Sequence, residues 1–265
     1  MTPHGPGRDL TYRAAIGAGA ALLRGLDLDV RVQGAETVPR QGPVLLVANH
    51  VSFPDFVFIG KGLLGRRRVR FMCRSDIWNQ PGLARAMDAM RHIPVDRAAP
   101  AAAYLRARGL LREGETVCVF PEAGISATYV VRALMPGAAA LARETGVPMV
   151  PVSTWGGQRL WPQKRAVEAP FPRAELTRGR LVDVAFGAPL PVAARADLVE
   201  TTRRLGRALH QGLVTLQQRP EHRPRPGEWA PWHPAHLGGA GLSRAEATVL
   251  DALPRGAVEP TWGPA

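Results

Sequence analysis

Short apolar runs recur along the chain and alternate with stretches in which apolar residues are spaced three or four positions apart. The runs are typical of buried strands and predict strands at 44–48, 69–73, 93–95, 116–120, 149–152 and 181–186. The spaced stretches predict helices at 55–64, 82–91, 98–112, 136–144 and 194–217. This alternation indicates an α/β fold, in which helices cover a mixed, mostly parallel sheet.

The pattern divides the chain into an N-terminal helix within residues 1–26, a main domain at 27–218 and a tail at 219–265. Residues 1–9 are predicted to be disordered, before a helix from Leu10 to Leu26. Prolines and glycines interrupt any helix in the tail, which is predicted either to wrap the surface or to be disordered. Trp229 and Trp232 are the side chains expected to dock it.

The N-terminal helix is amphipathic. Its apolar side carries Tyr12, Ala15, Gly19, Leu22, Leu23 and Leu26, and its basic side carries Arg13 and Arg24. Such a helix either lies in a membrane interface or packs on the domain. No transmembrane span is predicted, because its uncharged run covers only ten residues, Ala14 to Leu23, against the roughly 20 that a span needs.

Composition narrows the function classes only a little. The 265 residues carry a formal charge of +12, and arginine supplies nearly all of the positive charge. Arginine, alanine, glycine and proline are all abundant, so gene composition is one explanation of this charge. An anionic partner is the other: membrane lipid, a phosphorylated substrate or nucleic acid. Cys73 and Cys118 lie in apolar runs and are expected to be buried thiols, which fits a cytosolic setting. No ligand spacing indicates a metal site.

The candidate chemistry begins where the run 44–48 ends, at His50 and Asp55. An imidazole can take a proton near neutral pH, and a carboxylate on its far nitrogen fixes its tautomer. The same residues also fit a structural interpretation, because Ser52 and Asp55 have the spacing of a helix capping box. The two interpretations are compatible, since a cap would hold the carboxylate toward His50.

Three later segments also contain or follow an apolar run that predicts a strand. Arg97 follows the run 93–95 and could grip a phosphate or pair with Asp96. Glu122 follows the run 116–120, and it is either a site residue at a strand end or an exposed loop residue. The segment 147–152 is either a buried strand or the lining of an apolar channel.

Together the four segments resemble the glycerolipid acyltransferases, the 1-acylglycerol-3-phosphate acyltransferases and their relatives. The family's Asn-His-x-x-x-x-Asp element matches at Asn49, His50 and Asp55, and its Pro-x-Asp-Arg block at Pro94, Asp96 and Arg97. Its Phe-Pro-Glu-Gly-Thr-Arg-Ser block matches at Phe120, Pro121, Glu122 and Ser126, and its Val-Pro-x-x-Pro-Val block from Val147 to Val152.

The resemblance implies an acyltransferase of phospholipid biosynthesis that moves a fatty acyl group to the free hydroxyl of 1-acylglycerol 3-phosphate and forms phosphatidate. His50 would be the catalytic base and Asp55 its orienting carboxylate. Arg97, Glu122 and Ser126 would belong to the acceptor site. The partners implied are a lysophospholipid acceptor and an acyl thioester donor, either acyl-CoA or acyl-carrier protein. No cofactor or metal is implied.

One departure concerns the acceptor. Where the family usually has Gly-Thr-Arg, this chain has Ala123, Gly124 and Ile125. The family's arginine is thought to help hold the acceptor's phosphate, and an isoleucine cannot. Either Arg132, Arg159 or Lys164 acts with Arg97 in its place, or the acceptor is glycerol 3-phosphate, a glycolipid or another lysolipid.

A lipid acceptor implies an anionic membrane surface as partner, with the protein held peripherally on the cytoplasmic face of the cell membrane. The apolar positions within 56–64, followed by Arg66, Arg67, Arg68 and Arg70, form a candidate contact surface. The alternative is a core helix followed by a solvated charged loop.

Two other classes of protein compete with this interpretation. A nucleic-acid-binding protein would explain the charge, but the arginines are scattered and no aromatic stacking motif lies among them. A serine hydrolase would use Ser52 or Ser126, but the chain has no Gly-x-Ser-x-Gly elbow.

Overall fold

The computed structural model describes residues 6–252 and 254–263. Its centre is a seven-stranded sheet with the strand order β1-β7-β6-β2-β5-β3-β4. The strands are β1 (Asp29–Gln33), β2 (Val44–Ala48), β3 (Val69–Arg74), β4 (Ile93–Val95), β5 (Thr116–Val119), β6 (Met149–Trp155) and β7 (Leu181–Phe186). All six predicted strands are present, and β1 is an additional, largely exposed edge strand.

Within the described residues, six α-helices cover the sheet: α1 (Pro6–Gly25), α2 (Asp55–Gly62), α3 (Pro81–Ala89), α4 (Ala101–Arg112), α5 (Gly137–Thr145) and α6 (Leu198–Gln217). The predicted α/β class with a mixed, mostly parallel sheet is therefore confirmed. Alternate residues of a strand face opposite sides, so β2 contributes to two cores. Leu45 and Val47 pack under α4, α5 and α6, while Leu46 and Ala48 pack under α1 and α2.

Strand direction decides where a site can form. Strands β2 to β6 run parallel to one another, and β7 runs antiparallel to β6. The five parallel strands consequently end at one edge of the sheet, which is where ligands bind in open sheets of this kind. His50, Arg97 and Glu122 each follow one of these strands within three residues, so the fold delivers all three to this edge.

Helix α1 packs on the domain. It begins at Pro6, earlier than predicted, while residues 1–5 of the predicted disordered segment lie outside the described residues. Leu23 is buried beside α2, and the Val69 N–H donates to the Tyr12 hydroxyl at 3.0 Å. Leu22, on the predicted apolar side, is exposed. No helix among the described residues has the length and apolarity that crossing a bilayer requires.

The segment 56–70 exposes only part of the predicted membrane-contact surface, since Phe56 is 45% and Leu64 48% exposed. Phe58, Ile59 and Leu63 are buried in the core. The Arg70 side chain is 2% exposed and pairs with Glu115 at 3.2 Å, and Arg67 donates to Thr116 Oγ1 at 2.7 Å. The core-helix alternative is therefore correct for α2, and these two guanidinium groups face the protein rather than a lipid surface.

The tail wraps back over the domain. Buried Asp183 of β7 is bound by Arg219 at 2.5 Å and by His222 at 2.7 Å. Trp262 is buried against Gly206 of α6, where a Cβ would lie 2.5 Å from the ring. Trp232 is partly buried, but Trp229 is 75% exposed, so the predicted docking role of Trp229 is wrong.

A buried histidine lies just before β4. The Phe71 N–H donates to His92 Nδ1 at 3.1 Å, which ties the start of β4 to β3. Burial lowers the pKa of His92 to about 4, and the charge of Arg70 acts in the same direction. In the unfolded chain the histidine pKa is near 6.5. Between pH 6.5 and pH 4, His92 is therefore protonated in the unfolded chain and neutral in the native protein.

We predict that this histidine makes the protein less stable as the pH falls from about 6.5 towards 4. The free energy of unfolding, measured by urea titration at pH 7 and pH 5, should decrease by about 2 kcal/mol more in the wild type than in His92→Asn. Equal decreases in the two proteins would contradict the assignment.

Candidate active site

The first site element follows the end of β2. The Asn49 amide bridges from β2 to β6: it donates to the Thr154 carbonyl at 3.2 Å, and its oxygen accepts the Thr154 N–H at 2.7 Å. Asn49 is fully buried. This bridge fixes the backbone direction immediately before His50.

His50 and Asp55 form the predicted pair. His50 Nδ1 lies 2.9 Å from Asp55 Oδ2. The His50 side chain is 20% exposed and that of Asp55 is fully buried. The imidazole also stacks on Phe120, with ring centroids 4.2 Å apart. The ring is thus held at one nitrogen and along one face, and it keeps partial access to solvent.

The Asp55 carboxylate is itself fixed. Its Oδ2 atom also accepts the N–H groups of Val51 and Ser52, each at 2.9 Å. The predicted capping box is only half formed, because helix α2 begins at Asp55 after Pro54 and the Ser52 hydroxyl donates instead to the Trp161 carbonyl. The carboxylate half of the box remains, and it directs Asp55 toward His50.

Gly157 closes the wall behind this pair. A Cβ there would lie 3.2 Å from Asp55 Oδ1 and 3.0 Å from the Phe58 ring. Asp55 Oδ1 has no hydrogen-bond partner among the described residues. The absence of a side chain at 157 therefore lets the β6 turn pack directly against the carboxylate.

Glu122 is a buried part of the same site, so its interpretation as an exposed loop residue is wrong. One carboxylate oxygen accepts the His50 N–H at 2.7 Å, and the other accepts the Arg132 N–H at 2.9 Å. Burial raises the pKa of Glu122 to about 8, while the two backbone N–H groups and the charge of Arg132 oppose that rise. Glu122 therefore connects the catalytic element to the loop that carries Arg132.

That loop departs from the family block in two linked ways. Ala123 stands where the family has glycine, and its φ of 54° lies in the left-handed region that glycine prefers. Gly124 follows, and a Cβ there would lie 2.9 Å from Arg132 Nη1. The Arg132 guanidinium thus lies against the backbone beside Ile125, the residue in the place of the family's arginine.

Arg97 lies at the same edge of the sheet but farther from His50. Strands β5 and β3 separate β4 from β2, which corresponds to about 14 Å between the strands. Arg97 is exposed, and Asp96 accepts the Ala98 N–H at 2.9 Å. Partial desolvation lowers the pKa of Arg97, as does repulsion from Arg74 and Arg132. The charges of Arg74 and Arg132 therefore both act on Arg97.

The remaining candidates are positioned differently. The Ser126 N–H donates to the His50 carbonyl at 2.8 Å, but its buried hydroxyl donates to the Val130 carbonyl. Arg159 stacks on Trp232 of the tail, with its guanidinium carbon 4.1 Å from the ring centroid. Lys164 donates to the Val167 carbonyl at 2.6 Å. These side chains are not brought together with His50, Glu122 and Arg132.

The buried serines also weaken the hydrolase alternative. Ser52 and Ser126 are both 0% exposed, and each hydroxyl donates to a backbone carbonyl at 2.8 Å. A nucleophilic serine needs a base within hydrogen-bond reach and access to the substrate. Neither hydroxyl has that arrangement.

The sequence did not indicate Asp251 or Gly157 as neighbours of the site. Asp251 lies in the irregular tail, yet it accepts the Ala127 N–H at 3.0 Å. Gly157 was hidden among many glycines, since only its contact with Asp55 sets it apart.

Several known proteins have sequences similar to that of this chain. Residues 29–155 match the family described as Acyltransferase. The chain is 29% identical over 136 residues to a chloroplastic 1-acyl-sn-glycerol-3-phosphate acyltransferase of Brassica napus, which covers 49% of this chain and 38% of that protein. It is 24% identical over 193 residues to the 1-acyl-sn-glycerol-3-phosphate acyltransferase of Bacillus subtilis (strain 168), covering 72% of this chain and 89% of that protein.

A solved structure shares the fold. The 1-acyl-sn-glycerophosphate acyltransferase PlsC of Thermotoga maritima superimposes with a TM-score of 0.67 over 83% of this chain and 85% of that chain, at 24% sequence identity. This chain spans only 38% of the length of the Brassica napus relative described above. The matched residues contain the whole His50–Asp55 element and the Glu122 loop. The match to the acyltransferase family therefore covers residues 29–155, slightly less than half of the chain.

Proposed function

We propose that the protein transfers a fatty acyl group from an acyl thioester to the free hydroxyl of 1-acylglycerol 3-phosphate, forming phosphatidate. The observation that carries the proposal is the His50–Asp55 pair, at 2.9 Å, on the central strand of the sheet in the matched family region. The charged loop residues near the same edge support an anionic acceptor.

The pair defines the path of the proton. With Nδ1–H donating to Asp55, the lone pair of His50 Nε2 is free to accept the proton of the acceptor hydroxyl. Asp55 then stabilises the imidazolium, and its bonds to Val51 and Ser52 prevent the carboxylate from turning away. No acyl-enzyme intermediate is required.

The reaction is a direct exchange of bonds. As His50 takes the hydroxyl proton, the alcohol oxygen attacks the thioester carbonyl carbon and a C–O bond forms. The C–S bond then breaks, and the imidazolium returns the proton to the departing thiolate. The products are an oxygen ester and a free thiol, and His50 is again neutral.

The acceptor's phosphate binds to arginine side chains. Arg132 and Arg97 replace the arginine that Ile125 displaces, with Arg74 as a further nearby charge. Guanidinium groups suit this role because they bind phosphate oxygens through paired N–H donors. Because β2 and β4 are about 14 Å apart and the acceptor's hydroxyl and phosphate are separated by only a few bonds, the long side chains of the arginines must reach toward His50.

The donor is acyl-CoA or acyl-carrier protein, and no prosthetic group takes part. Glycerol 3-phosphate, a glycolipid and another lysolipid are the alternative acceptors. An acceptor without a phosphate would form no ion pair with Arg97 or Arg132. Lysophosphatidate and glycerol 3-phosphate would both use the base and the cations, and the similarity to proteins named 1-acyl-sn-glycerol-3-phosphate acyltransferase makes lysophosphatidate the acceptor we propose.

We predict that His50→Ala lowers kcat by about a hundredfold or more, because general base catalysis contributes on that scale. Asp55→Asn should lower kcat as well, since it removes the charge that stabilises the imidazolium. His236→Ala, at an exposed histidine of the tail, is the matched control. Near-normal turnover by His50→Ala, with acyl-CoA and lysophosphatidate, would remove His50 from the mechanism.

Arg97→Ala should mainly raise the KM for the acceptor, by about tenfold, because one charge-assisted contact to phosphate is lost. Its KM for acyl-CoA should remain close to that of the wild type. Arg106→Ala, at an exposed arginine of α4, controls for loss of surface charge. An acceptor KM that does not change in Arg97→Ala would assign the phosphate to other residues.

Peripheral attachment to the cytoplasmic face of the cell membrane is part of the proposal. The segment 160–178 supports it, because Phe171 is 59% exposed and Leu176 is 64% exposed. The Phe53 ring lies 5.2 Å from that of Trp161 and 5.8 Å from that of Phe171, which joins this apolar cluster to the His50 element. Arg173 and Arg178 are exposed in the same segment. Exposed aromatic and apolar side chains among cations suit an anionic lipid surface.

We predict that the double variant Phe171→Ser, Leu176→Ser binds vesicles containing phosphatidylglycerol at least about fivefold more weakly than the wild type, since less apolar area enters the interface. Val249→Ser changes an apolar residue that is 69% exposed in the tail, and it should bind normally. Sedimentation with and without anionic lipid measures the binding. Equal binding by all three proteins would contradict this surface.

A further inference from the structure

The C-terminal tail places one carboxylate inside the loop that follows Glu122. Asp251 Oδ1 accepts the Ala127 N–H at 3.0 Å. Its Oδ2 atom accepts the Thr128 hydroxyl at 3.0 Å and the Thr128 N–H at 3.3 Å. The Asp251 side chain is 14% exposed, so these bonds form largely away from water.

The same tail segment holds the Arg132 side chain. Asp251 Oδ1 lies 3.5 Å from Arg132 Nε, and Nη2 donates to the Ala252 carbonyl at 3.1 Å. The other terminal nitrogen of the guanidinium, Nη1, lies 3.5 Å from the Ile125 carbonyl oxygen. The Arg132 side chain is 9% exposed. Its guanidinium is therefore fixed between the tail and the backbone of the loop.

Other bonds attach the tail to this loop independently of Asp251. Leu134 and Val258 exchange two backbone hydrogen bonds, at 2.8 and 3.2 Å. The Trp262 indole N–H donates to the Val131 carbonyl at 3.2 Å. The tail would therefore stay docked if Asp251 lost its charge, which makes a specific test of Asp251 possible.

The loop leads directly to His50. Glu122 accepts both the His50 N–H and the Arg132 N–H, and Ser126 donates its N–H to the His50 carbonyl. A shift of Arg132 would change the charge near Arg97 without breaking the His50–Asp55 bond. Acceptor binding and proton transfer are thus separable by mutation.

We propose that Asp251 is a positioning residue of the acceptor site, which holds the Arg132 guanidinium against Gly124, on the loop that Glu122 joins to His50, as a cation for an acceptor's phosphate. This inference rests on the proposed function and deepens it. It assigns to the tail a part in acceptor binding, and it explains how a chain with Ile125 in the place of arginine retains a cation there.

The test compares Asp251→Asn, Arg132→Gln and the double variant in the full-length protein. Asp251→Asn should raise the acceptor KM about tenfold, with kcat and the KM for acyl-CoA within about twofold of the wild type. A merely structural role would lower kcat with the active fraction and leave the acceptor KM unchanged. The double variant should be no worse than Arg132→Gln alone, because residues that act through one another are not additive.

Two further variants secure the result. Glu246→Gln neutralises a tail carboxylate that accepts the Ser243 N–H at 2.8 Å, and it should behave as the wild type. Thr128→Val removes only the side-chain hydroxyl that donates to Asp251, and it should raise the acceptor KM about twofold to threefold if Asp251→Asn fails to fold. An unchanged or lower acceptor KM in Asp251→Asn, or additive effects in the double variant, would overturn the proposal.

Calorimetry without an acyl donor separates this inference from the proposed function. The probe is hexanoyl lysophosphatidate, and Asp251→Asn should bind it about tenfold more weakly than the wild type. If the wild type binds the probe but transfers no acyl group to it, the proposed function fails while the positioning role stands on the binding difference. Equal binding by wild type and Asp251→Asn overturns the positioning role whatever the activity, and so does a wild type that does not bind the probe.

Discussion

One oxygen atom organises the candidate site. Asp55 Oδ2 accepts three hydrogen bonds at 2.9 Å, from the His50 ring and from the N–H groups of Val51 and Ser52. A fully buried carboxylate is costly unless its charge is met by donors, and here the donors come from its own turn. The sequence that begins helix α2 therefore also fixes the tautomer and direction of the imidazole.

The buried carboxylate of Glu122 joins the His50 element to the loop that carries Arg132. Glu122 connects the backbone at His50 to the backbone at Arg132, and the tail carboxylate of Asp251 continues the chain of contacts. These links place the base on the central strand and the cations along the edge of the same sheet. The separation between His50 and Arg97 follows from strand order, since β5 and β3 lie between β2 and β4.

Much of the sheet and part of the candidate site were predictable from the local pattern of apolar residues. The six apolar runs became strands, and parallel strands bring the residues after them to one edge, so the grouping of the His50 and Glu122 elements followed from the sequence. Non-local partners were not predictable. The sequence pattern placed Arg70 in a candidate surface patch, because its partner Glu115 lies 45 positions away along the chain. Strand β1 was missed although Val30 and Val32 alternate with polar residues, as in a half-buried strand, because the strand prediction relied on continuous apolar runs. Asp251 was missed because the tail has no periodicity.

We propose that His50 activates an acceptor hydroxyl for attack on an acyl thioester. This role is tested by an acceptor panel with one labelled acyl-CoA and purified protein, in which products are identified by mass and released thiol is counted. We expect labelled phosphatidate from lysophosphatidate, one thiol for each ester, and little product from glycerol 3-phosphate, an uncharged lysolipid or no acceptor. Release of labelled fatty acid at the same rate with and without an acceptor would contradict it.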